Sequence, residues 1–185
     1  MFLTYNTSFP LHSQVLRSQV PESCLIMVYY SLFHSHLLYG LLLWGHSPHV
    51  NKILLLQKRA LRTIAGGQPL EHCRPLFRKL GIQTVIGQYL VLSLIYVKKN
   101  LEYLITRSQE HGHNVRNGGI ISVPFCRLSR TRDAFPVMAY RLYNHLPATI
   151  KNWHPSKFET ELTEIICNKS YYSISEFLEE PFQDY

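Results

Sequence analysis

Between Glu22 and Lys52 the chain runs for 29 residues without a formal charge. Within that run Cys24–Trp44 reads CLIMVYYSLFHSHLLYGLLLW, and a helix of ~20 apolar residues is long enough to cross a bilayer. Such a segment is either a membrane span or a helix held in a protein core. Ser31, His34, Ser35 and His36 cluster at its middle, and in lipid each would need a buried partner. Leu25, Ile26, Tyr29, Leu32, Phe33, His36, Leu37 and Gly40 follow helical spacing, which suits packing against other helices. The sequence also lacks the basic lead and cleavage site of a secretory signal, Arg17 being the only nearby base. A core helix is therefore expected and a membrane partner is not. A small membrane-anchored helical protein, spanning at about 24–44, stands as the alternative.

Charge is divided unevenly along the 185 residues. Residues 1–158 hold 18 Lys/Arg against five acids, whereas 159–185 hold Lys169 against seven. A basic body with an acidic end suggests a polyanionic partner for the body. Hydrophobic residues make up 46%, enough to build a core and to exclude disorder throughout.

A mainly α fold is expected, a small helical bundle with an irregular, partly ordered C-terminal extension. Residues 1–22 read as a poorly ordered lead-in, 23–105 as the helical domain, 106–119 as a polar linker, and 120–185 as a C-terminal region with a frayed acidic end. The first helix is predicted over about Ser23–Leu38, broken by Gly40. Ser47-Pro48 supplies a start signal for a helix over His49–Ala65, which Gly66-Gly67 ends. On this helix Val50, Ile53, Leu54, Gln57, Ala60, Leu61 and Ile64 share one face, at about 100° per residue. Lys52, Lys58, Arg59 and Arg62 fall on the other side, in a segment without a single acid. Most basic helix faces are only solvated, but an uncompensated one is a candidate for phosphate contact.

Pro75 opens a short helix closed by Gly81. Thr84 caps a longer one through about Tyr103, with Val85, Tyr89, Leu92, Ile95, Tyr96 and Leu101 as core positions. Ile120–Val123 has the composition of a short strand without an obvious partner. Arg127, Arg130 and Arg132 form a second small basic group, free to meet phosphate or water. Further helices are expected around Ala134–Tyr143 and after Ser156 as a cap, the latter holding Phe158, Leu162, Ile165 and Ile166.

Catalytic patterns are missing. Two-metal nucleotidyl transfer needs clustered carboxylates, and the only aspartates, Asp133 and Asp184, lie 51 residues apart. There is no P-loop, G-x-S-x-G or G-x-G-x-x-G. Cys24, Cys73, Cys126 and Cys167 are spaced by 49, 53 and 41 residues without a C-x-x-C pair, so reduced structural thiols are expected rather than a zinc site. No catalytic residue, metal or cofactor is expected.

Tyr29-Tyr30-Ser31-Leu32-Phe33-His34-Ser35-His36-Leu37-Leu38-Tyr39-Gly40, followed by Trp44-Gly45, resembles the segment just beyond the palm of jockey-like non-LTR retrotransposon reverse transcriptases. Further blocks resemble that family in the same order. They are Ile53–Ile64 (ILLLQKRALRTI), Pro75–Ile82 (PLFRKLGI), Thr131-Arg132, and Asn144-His145-Leu146-Pro147. Together the blocks span about 26–150. The resemblance implies the thumb and post-thumb part of an RNA-directed DNA polymerase, a thumb-like bundle that grips an RNA–DNA template–primer without reading bases. It implies as partners the palm and fingers that this sequence lacks, no activity for the chain by itself, and an intracellular place in cytoplasm or nucleus. Lys52, Lys58, Arg59 and Arg62 would contact phosphates, the apolar face of their helix would pack on the first helix, and Tyr39 and Trp44 would sit in the joint.

Overall fold

The computed structural model describes residues 20–68, 70–112 and 119–181, apart from the side chains of His111 and Arg130. Nearly all of the expected lead-in, and residues 113–118 of the expected linker, lie outside the described residues. The described chain is mainly helical, as the periodicity predicts.

The first run, α1, joins Glu22–Val28, a π segment Tyr29–His34 and Ser35–Leu38. Leu25, Tyr29, Phe33 and Leu37 are its buried residues, a strict spacing of four. On an ideal α-helix that spacing drifts by about 40° per step. The wider turn of the π segment takes up the drift and keeps the stripe in line. Ile26, Leu32, His36 and Gly40, expected on the same face, are therefore half-buried or exposed. Side chains near the middle bond back to the carbonyls of the preceding turn, which loosens the backbone ladder. Ser31 Oγ reaches Val28 O at 3.2 Å, Ser35 Oγ reaches Ser31 O at 2.6 Å, and His36 Nδ1 lies 2.6 Å from Leu32 O.

Gly40, at φ 63°, takes a left-handed conformation that L side chains resist and ends α1 before the short α2, Leu41–Trp44. The apolar run is thus divided. Among the described residues no single helix is long and apolar enough to cross a membrane.

Helix α3 covers Val50–Ala65, and Gly66 at φ 70° stops it. Its start lies beyond the Ser47-Pro48 signal. These two residues form a turn instead, with Val50 N donating to Ser47 O at 3.0 Å and His49 at the cap position. Helix α4, Cys73–Leu80, ends on Gly81. Thr84 caps α5, Val85–Lys99, as expected: its Oγ1 accepts from Gly87 N at 2.9 Å and donates to Tyr171 O at 2.7 Å. Helix α5 stops before Tyr103, which falls in a separate 3₁₀ turn, Leu101–Tyr103.

Residues 85–91 are all buried, while Leu92, Ile95, Tyr96 and Leu101 are only half-buried. The single stripe expected for α5 was too narrow because the helix is central. It packs against α2, α3 and, later in the chain, α8 (Val137–His145) and α10 (Pro155–Lys169). A helix surrounded in this way is apolar on most of its circumference.

Between these come α6 (Arg107–His111), α7 (Ser129–Arg132) and α9 (Ala148–Lys151). Thr106 and Ile121 make an isolated antiparallel bridge, so Ile120–Val123 does find a partner in the expected linker, without extending into a strand among the described residues. The helix expected around Ala134 begins at Val137, and α10 is led by Pro155 at its first position rather than capped by Ser156. Phe158, Leu162 and Ile166 of α10 are buried; Ile165 is half-buried.

The acidic end does not fray within the described residues. It turns back as α11, Ile174–Glu179, and buries Tyr171 and Phe177. Phe177 packs edge-on against Tyr171 and His145, with ring centroids 5.4 and 5.7 Å apart. Residues from 25 to 177 lie in one hydrophobic core, so the C-terminal part closes that core rather than extending from it.

Candidate nucleic-acid interface

The core side of α3 is held by Gln57, which is fully buried. Its Nε2 donates to Tyr29 Oη at 2.7 Å and to Gln83 O at 2.8 Å, and its Oε1 accepts from Val85 N at 2.8 Å. One amide therefore ties α3 to α1 and to the start of α5. The apolar face of α3 packs on α1, α4 and α5, which orients its other side outward.

The four cations expected there divide into two pairs. Lys52 and Arg59 are exposed, and neither forms an ion pair with a described residue. They lie two turns apart, on either side of Leu55, which is 55% exposed. Lys58 and Arg62 are half-buried and engaged. Lys58 Nζ stands 3.5 Å from the centre of the Tyr172 ring, and burial holds its ammonium below the usual lysine pKa. Arg62 Nε donates to Glu71 O at 2.9 Å. The expectation of four outward charges is corrected accordingly. Lys58 sits at the edge of the exposed arc, close enough to the core for the Tyr172 ring to cover it.

Around Tyr172 lies a group that spacing along the sequence did not reveal. The Arg74 guanidinium carbon is 4.6 Å from the centre of the same ring. Arg74 Nη2 pairs with Glu176 Oε1, and Glu176 Oε2 accepts from Tyr172 N at 2.8 Å. Burial pushes the Tyr172 phenol up to about 12 and raises the neighbouring Cys73 thiol. Further along, Lys169 pairs with Glu180, and that hydrogen bond holds the Glu180 carboxyl below the usual range. Arg74 and Glu176 are 102 residues apart in sequence, which hides their meeting. The legible signal was only their opposite charge. Arg78 and Lys79 add two exposed cations on α4, adjacent to α3.

The second basic group is not joined to the first by direct helix packing of any extent. Helix α7 packs on α8, whereas α3 packs on α1, α4 and α5. Arg127 and Arg132 are exposed, and the Arg130 side chain lies outside the described residues. Arg132 Nε is 3.3 Å from Asp133 Oδ1, which also accepts from Arg141 Nη1 at 3.2 Å. Arg132 is thus partly neutralised.

Where α1, α2 and α3 meet, an apolar groove of about 360 Å³ is lined by Leu37, Tyr39, Leu43, Trp44 and Ile53. Trp44 Nε1 donates to Tyr39 O at 2.9 Å, fixing one wall. Among the described residues no three His, Cys, Asp or Glu side chains gather closely enough to hold a metal ion. The four cysteines are free.

Comparison of the chain with protein-family models, with curated proteins and with solved structures finds no match.

Proposed function

We propose that the chain is a helical, non-catalytic nucleic-acid-binding unit derived from a retrotransposon RNA-directed DNA polymerase, taking an RNA–DNA duplex through its phosphates. The observation that carries this reading is the exposed pair Lys52 and Arg59 on a helix with no acidic residue. Arg78 and Lys79 on α4 and the net charge of +7 support it. Cations on a rigid helix neutralise phosphate without reading bases, so affinity falls with salt and depends little on sequence. The order of blocks that resembles the post-palm region of jockey-like reverse transcriptases supports the ancestry, with the palm and fingers of such a polymerase as partners. Such a partner places the chain in cytoplasm or nucleus.

The test is a salt titration of duplex binding by the full chain, using two RNA–DNA hybrids of unrelated sequence. Equal binding of both and a linear fall of log K with log salt are expected. Replacing Lys52 and Arg59 together by Gln should reduce the slope by about 2. Absence of binding at low salt by both the wild-type chain and its Glu176→Gln variant, or a slope unchanged in the Lys52 and Arg59 double variant, overturns the proposal.

A further inference from the structure

We infer that the acidic C-terminal strap is an intramolecular competitor for the proposed duplex site, with Glu176 occupying Arg74 in place of a phosphate. This rests on the nucleic-acid reading above and adds its regulation. Helix α11 and Tyr172 lie against the cationic elements rather than away from them. Tyr172 is contacted by Lys58 from α3 and Arg74 from α4, and Glu176 pairs with Arg74 while accepting from Tyr172 N. One ring and one carboxylate thus engage two cations, Lys58 beside Arg59 on α3 and Arg74 on the neighbouring α4. Lys169 is held in the same way by Glu180.

Two features make the arrangement displaceable. Arg74 and Glu176 side chains are 34% and 33% exposed, and ion pairs open to water are weakly held and screened by salt. The strap also leaves Arg74 Nε and Tyr172 Oη buried without hydrogen-bond partners. A phosphate brings more acceptor oxygens than one carboxylate and meets the guanidinium in a bidentate fork. Exchange requires no undocking of α11, because Phe177 remains in the core as its anchor. Glu176 turns aside and releases Tyr172 N, while Glu180 stays near Arg74, paired with Lys169.

Titration of the full chain with a fluorescent RNA–DNA hybrid distinguishes the possibilities. Glu176→Gln should tighten binding about 3- to 10-fold at low salt and steepen the salt slope by about 1, since one more cation reaches phosphate. Glu161→Gln, an exposed acid on α10, makes the same change in net charge and should do neither. Adding Arg74→Gln to Glu176→Gln should abolish the gain, as expected for coupled residues. If the wild-type chain binds and Glu176→Gln and Glu161→Gln behave alike, the competitor is overturned and the duplex reading stands. If neither the wild-type chain nor Glu176→Gln binds at low salt, both are overturned. Binding by Glu176→Gln alone supports the strap most directly.

Discussion

Gln57 Nε2 donates to the Tyr29 hydroxyl at 2.7 Å inside the core, 28 residues away in sequence. Burial pushes the Tyr29 phenol pKa well above its ordinary value, so the group stays a neutral hydroxyl. The same amide also serves Gln83 O and Val85 N. Losing it removes three hydrogen bonds at once and leaves the buried Val85 N without its acceptor, where one such loss costs about 1–3 kcal/mol. Gln57→Leu should therefore destabilise the fold by about 3 kcal/mol or more, and Tyr29→Phe by only about 1 kcal/mol. Urea unfolding of the two variants compares them directly. A larger loss for Tyr29→Phe would refute the central role given to the amide.

Lys58 and Arg59 are sequence neighbours with different surroundings, and their substitutions should separate. Arg59→Gln should weaken duplex binding and leave the unfolding midpoint unchanged. Lys58→Gln loses a contact with the Tyr172 ring and should cost about 0.5–1 kcal/mol of stability, with little effect on binding. Measuring midpoint and affinity for both variants checks this. Equal losses of affinity would mean that Lys58 reaches phosphate despite the ring.

A methyl group at Gly45 would lie 2.4 Å from Tyr89 Cδ2 and 2.8 Å from Leu41 O. The Tyr89 ring is buried on the central helix and has little room to retreat. Gly45→Ala should cost about 1–3 kcal/mol through overpacking. Gly119→Ala, with nothing within 4 Å of the new carbon, should be near neutral. Thermal melts of the pair suffice, and equal melting temperatures would argue against the close approach.

His34 Nδ1 lies 2.9 Å from Gln88 Nε2, and burial lowers the imidazole pKa below its ordinary 6.5. The unfolded chain therefore binds this proton more readily than the folded one. The contribution is fully present above about 6.5 and is lost as pH falls through the lower folded value. Unfolding midpoints should decline between pH 7 and 5, and His34→Gln should flatten part of that decline. An identical pH profile in the variant would remove His34 from the account.

Punctuation was the most legible part of the sequence. Gly40, Gly66 and Gly81 mark real stops at positive φ, and Thr84 is a real cap, because these roles depend on local backbone chemistry alone. The inward face of α3 was also legible, including Gln57 as a member of it. What Gln57 does there was not, since its partners lie on α1, in the turn before α5 and at the first residue of α5. The stripe of α5 was drawn too narrowly because periodicity reports amphipathic helices and this one is surrounded. The acidic tail was expected to fray, yet Tyr171 and Phe177 are buried in the core and Tyr172, Ile174 and Leu178 pack against it. For the candidate site, Lys52 and Arg59 point outward as charge pattern suggests. The engagement of Lys58 and Arg74 rests on Tyr172 and Glu176, far along the chain, where no local rule connects them.

The π turn at Tyr29–His34 can be regarded as an α-helix carrying one surplus residue. Removing an outward-facing member, such as Leu32, would let the wide turn close while the flanking stretches keep their register. Removing the equally outward Leu55 from α3 would instead rotate everything beyond it by about 100°, turning Arg59 and Arg62 toward the core. Single-residue deletions should therefore be absorbed far better at one outward leucine than at the other.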